Sequence, residues 1–421
     1  MPTIPLPYGD EVLNLAIPSR NLLAVLSPRD TPICADVASE IRRALDHPIA
    51  YSHLADAARG CQRVVIAADD LTRQTPVRVI IPVLLDELNR AGVSDEQVTV
   101  LIALGTHRYM TPAEIESHFG VDVTARVQVI NNPWQDASQL VDMGMTPNGT
   151  PVQVSRIALE ADFLIGLGSI VPHHIPGYSA GAKIIQPGVC GAVTTGATHY
   201  LSTRAPRSYL GTVENPVRAE LEHIAGQIGL KCILNTVLDH AGRLVEAFYG
   251  DYIQAHRAGV RRAQQVYGVH APGIADIVIA GSHPCDIEFW QAHKSLYPAE
   301  IAVKPGGEII VVTPCPEGVS VMHQDTILQI AALHSERIDA LIQQGAMADV
   351  VSAAVALAWA KVREHAPVSL VSSGIPREDA LALGFTPFDS VEDALAAAMC
   401  RQGFDATISV LTHAPEILPL M

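Results

Sequence analysis

Short runs of β-branched and other apolar residues recur along the chain, each followed by a loop rich in Gly, Pro, Asp or His and then by a segment of helical periodicity. The runs are continuously apolar rather than alternating, which is typical of strands buried on both faces of a parallel sheet. This order of strand, loop and helix predicts an α/β fold with mainly parallel sheets flanked by helices. The clearest runs are residues 63–70, 98–108, 162–174, 274–284, 307–318 and 367–376.

A domain boundary is predicted near residue 270. The polar helical segment 251–269 is followed there by a Pro-Gly turn and a new apolar run. We therefore predict an N-terminal α/β domain over 1–269 and a C-terminal α/β domain over 270–421. Ligands of parallel sheets bind beyond the carboxyl ends of the strands. The active site is accordingly expected in the cleft between the two domains.

Composition and charge narrow the class of protein. Of the 421 residues, 48% are hydrophobic and 17% charged, a balance that favours a globular chain over a disordered one. The chain has 28 Lys and Arg against 44 Asp and Glu, and no basic cluster stands out, so nucleic acid is not an expected partner. The opening residues lack the pattern of a secretion signal, and no apolar stretch is long enough for a membrane span. We expect a cytoplasmic protein with reduced cysteines.

The first motif with chemical content is DDLTRQTP, residues 69–76, directly after a predicted strand. Asp70 and Arg73 are three residues apart, close enough to share a ligand, and the planar guanidinium of arginine commonly binds carboxylate or phosphate. The same residues also fit the start of a helix, with Thr72 or Asp70 as N-cap and Pro76 in the first turn. The motif alone leaves both interpretations open.

The second motif is ALGTHRYMTPAEI, residues 103–115. Gly105 permits a tight turn after the strand and leaves His107 at its rim. Thr111 and Glu114 have the spacing of a capping box at the start of a helix. A single loop histidine is more often structural than catalytic, so His107 needs support from other motifs.

The third motif is VPHHIPGYSAGAKIIQPGVCG, residues 171–191, and His199 follows sixteen residues after its lysine. Small residues that leave backbone amides open, followed by a lysine, are a common way to hold phosphate. The spacing matches neither GxxxxGK[ST] nor GxGxxG, so a nucleoside triphosphatase and a standard nicotinamide loop are not indicated. We predict His199 as a metal ligand. The other candidates in this stretch are His173, His174, Gly177, Ser179, Gly181 and Lys183.

The fourth motif is SHPCDIEFWQAHKSLYPAE, residues 282–300. On a helix, Gln291 and Lys294 project from one face and could reach a small anionic substrate, although a solvated helix face explains this spacing better when it is taken alone. Trp290 suits either a pocket wall or the core.

In this order, the four motifs resemble the nickel-dependent lactate racemase family and its 2-hydroxyacid racemase and epimerase relatives. The shared pattern is DDxTRxTP, GTHR, PHxxxGxSxGxK with a histidine sixteen residues further on, and FWQxxK, spread over residues 69–300. Four ordered motifs are far more specific than any one of them.

The resemblance implies a nickel-pincer nucleotide, a pyridinium-3-thioamide-5-thiocarboxylic acid mononucleotide, joined covalently to Lys183. It implies His199 as the protein ligand of nickel, and His107 and His173 as the paired acid/base groups. Only the first of the two adjacent histidines aligns. Two further sets of contacts are implied. The residues expected to contact the substrate are Arg73, Trp290, Gln291 and Lys294. Those expected to contact the cofactor are Asp70, Gly177, Ser179 and Gly181.

The implied reaction is inversion of a small 2-hydroxyacid by reversible transfer of hydride from Cα to the cofactor, through a planar 2-ketoacid. Two histidines are needed because the two enantiomers present their hydroxyls to different sides. Because no extra arginine stands out for a second carboxylate, a lactate-like or larger apolar side chain is favoured over malate. Cofactor-synthesis enzymes are the implied partners. The alternatives are a nicotinamide-type 2-hydroxyacid dehydrogenase and a non-catalytic nucleotide-binding relative. This sequence lacks the glycine fingerprint of the former.

Overall fold

Two six-stranded sheets, both mainly parallel and flanked by helices, form the protein, as the apolar runs predict. The structure is a computed structural model that describes residues 3–421. The strands are β1 Thr3–Tyr8, β2 Glu11–Ala16, β3 Leu22–Leu26, β4 Val64–Ala68, β5 Val98–Ile102, β6 Gln128–Asn131, β7 Leu140–Met145, β8 Pro151–Ser155, β9 Phe163–Ser169, β10 Pro172–His173, β11 Gly177–Tyr178, β12 Leu230–Leu238, β13 Leu244–Asp251, β14 Gly268–His270, β15 Ala275–Gly281, β16 Val303–Val312, β17 Val368–Val371, β18 Thr386–Phe388, β19 Ile408–Leu411 and β20 Leu418–Leu420.

The helices connect and cover these strands. They are α1 Val37–Asp46, α2 Leu54–Ala57, α3 Val77–Arg90, α4 Pro112–Phe119, α5 Val121–Thr124, α6 Arg156–Leu159, α7 Ala192–Ser202, α8 Pro216–Ile228, α9 Gln254–Tyr267, α10 Phe289–Ala292, α11 Leu296–Ala302, α12 Gln324–Ile330, α13 Ser335–Gln343, α14 Val350–His365, α15 Arg377–Ala382 and α16 Val391–Gln402. Short 3-10 turns occupy Asp95–Gln97, Ala137–Gln139, Gly181–Ile184, His293–Ser295 and Ala414–Glu416. Within residues 3–421, no helix is both long and apolar enough to cross a membrane.

The first sheet has the order β13-β12-β9-β4-β5-β6, and all of its pairs are parallel except β12 with β13. Three of the apolar runs become its adjacent central strands β9, β4 and β5. Every residue of β4 and β9 is buried, which is why these runs show no alternation of polarity. Because the three strands are parallel, the loops after them, which carry the first three motifs, leave the sheet at one edge.

The second sheet has the order β18-β17-β16-β15-β19-β3 and is parallel throughout. The apolar runs at 274–284, 307–318 and 367–376 supply its strands β15, β16 and β17. The fourth motif follows β15 directly, so it also leaves the sheet at a carboxyl end.

The N-terminal segment departs from the predicted domain division. Strand β3 is the edge strand of the second sheet, where it pairs with β19. Ile4 and Leu6 of β1 lie in one apolar cluster with Ile277 and Ile310 of the second sheet. Assigning all of 1–269 to the first domain is therefore wrong for residues 3–26, while Met1 and Pro2 lie outside the described residues. The edge of a parallel sheet accepts any apolar strand of suitable length, and nothing in the local pattern of β3 says which sheet it will join.

Candidate active site

A cavity, here called the central cavity, lies in the cleft between the two sheets and is lined by the loops that follow their strands. About 800 Å³ of space there, open solvent included, is not filled by protein atoms. The central cavity brings together residues more than 200 positions apart in the chain, from both sides of the cleft. Of the predicted site residues, those that line it are Asp70, Arg73, His107, His173, Ser179, Lys183, His199, Trp290, Gln291 and Lys294.

Asp70 orients His107. The Nδ1 atom of His107 lies 2.6 Å from a carboxylate oxygen of Asp70, which is 4% exposed and also accepts from the Thr72 amide. Burial by itself would raise the pKa of Asp70, but His107, Arg73 and Thr72 together hold it below its usual range. A carboxylate at Nδ1 leaves Nε2 of His107 as the nitrogen available to a ligand. Gln291 reaches that nitrogen at 3.3 Å.

The helix-start interpretation of the first motif is wrong. Helix α3 begins at Val77, with Pro76 in the N-cap position and no side-chain cap. Asp70 and Thr72 stay in the loop before it, where the Asp70 carboxylate bonds His107 and Thr72 instead of helix amides. The capping box of the second motif is confirmed, because Thr111 accepts from the Glu114 amide at the start of α4.

His173 lies on β10, opposite Gly177 of β11. Its Nδ1 accepts a hydrogen bond from the Ile175 amide at 3.2 Å, so Nε2 is again the nitrogen left for a ligand. The ring stacks on His174 with centroids 4.7 Å apart, and His174 stacks on Tyr297 at 4.1 Å. Burial lowers the pKa of His173 and of His174 well below the usual value, so both rings are neutral at neutral pH.

Arg73 and Lys294 present two unpaired cations to the cavity. Within residues 3–421, neither has a carboxylate within ion-pair distance: Arg73 donates to the Thr72 carbonyl and hydroxyl oxygens, and the Lys294 ammonium contacts the Gln291 side-chain oxygen. Burial, together with Arg73, lowers the pKa of Lys294 to about 8. Gln291 is 2% exposed, so the solvated-face interpretation of the fourth motif is wrong. Cations that lack a carboxylate at ion-pair distance in a cavity are suited to an anionic ligand.

Trp290 satisfies both of the interpretations that the sequence left open. It is 6% exposed, stacks on His323 at 4.3 Å and still forms part of the cavity wall.

Lys183 has an amine suited to covalent attachment. Burial, with Arg73 and Lys294 nearby, lowers its pKa to about 7, against an ordinary value of 10.5. In the part of the chain that the structure describes, no carboxylate lies within ion-pair distance of its ammonium. A substantial share of this side chain is therefore the neutral, nucleophilic amine at neutral pH.

His199, on α7, has the character of a metal ligand. Burial, together with Lys183, lowers its pKa to about 3, so the ring keeps its lone pair at any ordinary pH. Its Nδ1 atom is buried and finds no hydrogen-bond partner among residues 3–421. The same residues hold no group of three or more potential metal ligands. A metal at His199 would therefore need further donors from a bound cofactor.

Gly177 and Gly181 have a packing role in the loop that carries Lys183. Neither lines the cavity, and the Gly181 amide already donates to the Asn235 side chain at 2.9 Å. Both have positive φ, and a Cβ would lie 2.1 Å from the Thr212 carbonyl oxygen at Gly177 and 2.7 Å from the His256 ring at Gly181. These glycines allow close packing of the loop that carries the lysine, and the Gly181 amide is already bonded within the protein.

Gly177→Ala is expected to lower the free energy of unfolding by about 3 kcal/mol or more, from backbone strain plus a clash with an immobile carbonyl. Gly92→Ala is the matched control, because its φ of +89° is similar and nothing lies within 4 Å of the added Cβ. That control should cost only about 1–2 kcal/mol. Urea denaturation of the cofactor-free proteins measures both, and equal losses would contradict the packing role.

Arg218, on α8, was missed in the sequence. It is 1% exposed and donates to the carbonyl oxygens of Pro176, Tyr178 and Ala180, the backbone of the loop before Lys183. The sequence did contain a signal for a buried arginine, because Arg218 lies three residues before Leu221 and so on the apolar face of the helix. A buried arginine is retained only where acceptors satisfy it, and here those acceptors are the turns of the active-site loop.

Arg218→Met is expected to lower the free energy of unfolding by about 3 kcal/mol, because three carbonyl groups each lose the hydrogen bond from a buried guanidinium while the alkyl packing is largely kept. Arg204→Met, at an exposed position, should change stability by less than about 0.5 kcal/mol. Chemical denaturation of both variants checks this, and a neutral Arg218→Met would show that the loop does not depend on the arginine.

Comparison with known proteins agrees with the fold. The family models of the lactate racemase N-terminal domain and C-terminal domain match residues 8–211 and 271–417. A lactate racemase from Thermoanaerobacterium thermosaccharolyticum is 32% identical over 324 residues, 76% of each chain. One from Lactiplantibacillus plantarum is 27% identical over 417 residues, 98% of each chain.

Solved structures extend the likeness to the whole chain. The lactate racemase apoprotein from Thermoanaerobacterium thermosaccharolyticum superimposes with a TM-score of 0.89 at 27% identity, covering all of both chains. A Thermotoga maritima protein, 19% identical, shares the fold with a TM-score of 0.74 over 91% of this chain and 98% of its own. The protein is thus a two-domain α/β enzyme of the isomerase class. It belongs to the lactate racemase family, which confirms the resemblance carried by the four motifs.

Proposed function

We propose that the protein racemises or epimerises a small 2-hydroxyacid with a lactate-like or larger apolar side chain, using a nickel-pincer nucleotide held on Lys183. The observation that carries this proposal is the combination found in one cavity. Two histidines offer Nε2, and two cations without carboxylate partners lie beside them. An acid/base pair next to an anion site is what inversion at the carbon beside a carboxylate needs.

The residues present fit the cofactor. A partly neutral amine at Lys183 can form the thioamide link, and the unpartnered, neutral ring of His199 can complete a nickel site whose other donors come from the cofactor. When bound, the cofactor would supply an acceptor for the hydride of the substrate Cα. Ser179 and Asp70 also line this cavity, whereas Gly177 and Gly181 would support it only through the fold of the loop.

Arg73 and Lys294 would hold the substrate carboxylate in place while the configuration at Cα inverts. In one enantiomer the hydroxyl would donate its proton to Nε2 of His107, whose imidazolium form the Asp70 carboxylate stabilises. In the other enantiomer the hydroxyl would face His173, whose neutral ring carries its proton on Nε2 while Nδ1 accepts from the Ile175 amide. To take the hydroxyl proton at Nε2, this ring would first carry its own proton on Nδ1 and give up the Ile175 hydrogen bond. Gln291 bridges the two functions, because its amide contacts both His107 and Lys294.

Neither of the alternatives accounts for this cavity as well. A nicotinamide-dependent dehydrogenase would leave the depressed pKa of Lys183 and the unpartnered His199 without a role. A non-catalytic nucleotide-binding relative would not need two histidines oriented through Nδ1.

The test is to purify the protein after co-expression with cofactor-synthesis enzymes and nickel, which are the proposed maturation partners. We expect a mass increment located on Lys183, bound nickel, and loss of optical rotation from single enantiomers of 2-hydroxyacids. Protein that lacks both the increment and nickel after co-expression with a working cofactor pathway would overturn the proposal.

A further inference from the structure

A second cavity, here called the side cavity, opens beside the proposed carboxylate site. It shares Arg73, His173, Gln291 and Lys294 with the central cavity, and about 1030 Å³ of space there, open solvent included, is not filled by protein atoms. A substrate whose carboxylate lies on Arg73 and Lys294 would therefore have the side cavity next to its Cα substituents.

The walls of the side cavity are largely apolar and come from both domains. The apolar wall residues are Leu71, Val171, Pro172, Leu238, Tyr267, Pro284, Ile287 and Pro415. Tyr267 donates its hydroxyl to the Leu238 carbonyl at 2.7 Å, so its polar atom is already satisfied. Such a surface gains free energy when an apolar group displaces the water against it.

Beyond the shared border, the residues lining the side cavity include no cation. The acidic group at its wall is Glu416, and burial together with Asp239 raises the pKa of that carboxyl to about 8. It is therefore mostly uncharged at neutral pH, and deprotonation would make it repel an anion. A second substrate carboxylate would find no charged partner there, and desolvating it would cost free energy.

We propose that the side cavity holds the substrate side chain, and that the preferred substrate is a 2-hydroxyacid whose branched-alkyl or aryl side chain has about four carbons or more. A methyl group, as in lactate, would leave most of this space to water against apolar walls. This inference rests on the proposed function, because it uses the same carboxylate site to place the side chain.

The test measures kcat/KM of the cofactor-loaded enzyme for single enantiomers of lactate, 2-hydroxy-4-methylpentanoate, phenyllactate and malate, followed by chiral chromatography. We expect at least one of the two bulky substrates to exceed lactate by about tenfold or more, since each methylene in an apolar pocket contributes a factor of about 10 or more. Malate should fall below lactate. Lactate equal to or better than both bulky substrates would overturn the inference but leave the proposed function standing. Loaded enzyme that inverts none of the four would instead overturn the proposed function.

A substitution that fills part of the side cavity gives an independent check of its role. Ile287→Trp adds volume to the wall and should lower the ratio of kcat/KM for the bulky substrate to that for lactate by about tenfold. Because the ratio is taken within one preparation, it does not depend on how much of the variant folds or loads. Ile274→Trp makes the same change at a position that is 42% exposed and outside the cavity, and should leave the ratio unchanged. An unchanged ratio in Ile287→Trp would contradict the assignment.

Discussion

Lys183→Ala is expected to remove both the covalent cofactor and all measurable racemisation. The side chain is the one amine in the central cavity besides Lys294, and burial among cations brings its pKa to about 7. Alanine offers no nucleophile for the link, and no other lysine lies on that loop to replace it. Intact-protein mass spectrometry after co-expression with the cofactor pathway should show the unmodified mass, and polarimetry should show no inversion.

Lys231→Ala is the matched control, because this lysine is exposed on β12 and away from the cavity. It should carry the increment and full activity. Stability distinguishes a chemical effect from misfolding, since removing a poorly solvated amine without an ion-pair partner should leave the unfolding midpoint of cofactor-free Lys183→Ala close to that of the parent. A mass increment on Lys183→Ala would show that the cofactor is attached elsewhere.

His107→Asn and His173→Asn are each expected to lower kcat by about 10²–10⁴, the usual contribution of a positioned acid/base group. Each ring is oriented through Nδ1, by Asp70 in one case and by the Ile175 amide in the other. Arg73 and Lys294, the proposed contacts of the substrate carboxylate, remain in both variants. KM should therefore change far less than kcat.

Cofactor loading provides the discriminating readout for these two variants. Both should carry the increment on Lys183, because neither ring is the proposed nickel ligand. His334→Asn, whose side chain is 90% exposed, should be indistinguishable from the parent. If either active-site variant kept more than about a tenth of the parental kcat in both directions, that histidine would not be the acid/base group for either enantiomer.

Local sequence was sufficient for much of the architecture. Continuous apolar runs predicted the buried strands of both sheets, because a strand covered on two faces has no polar positions to alternate. The Thr111 capping box predicted the start of α4, because its hydrogen bonds join residues three apart. The ordered motifs predicted the residues that meet in the cavity, because each follows a parallel strand whose carboxyl end faces the cleft.

Long-range contacts decided the rest. Strand β3 joined the second sheet because an edge beside β19 was open, and its own five residues contain no sign of that partner. Arg218 acts on carbonyl groups about 40 positions earlier in the chain, and the conformational need at Gly177 comes from the Thr212 backbone. The residue pattern within one segment does not predict such contacts between distant parts of the chain.

By itself, the sequence determined the α/β class, the family and the set of chemical groups, because these depend on periodicity and on residue types at fixed spacings. Only the tertiary structure decided which nitrogen of each histidine a neighbouring group holds, which cations lack an ion-pair partner and how large the space beside them is. Those properties arise from burial and from groups that meet across the cleft, so they exist only once the two sheets have packed.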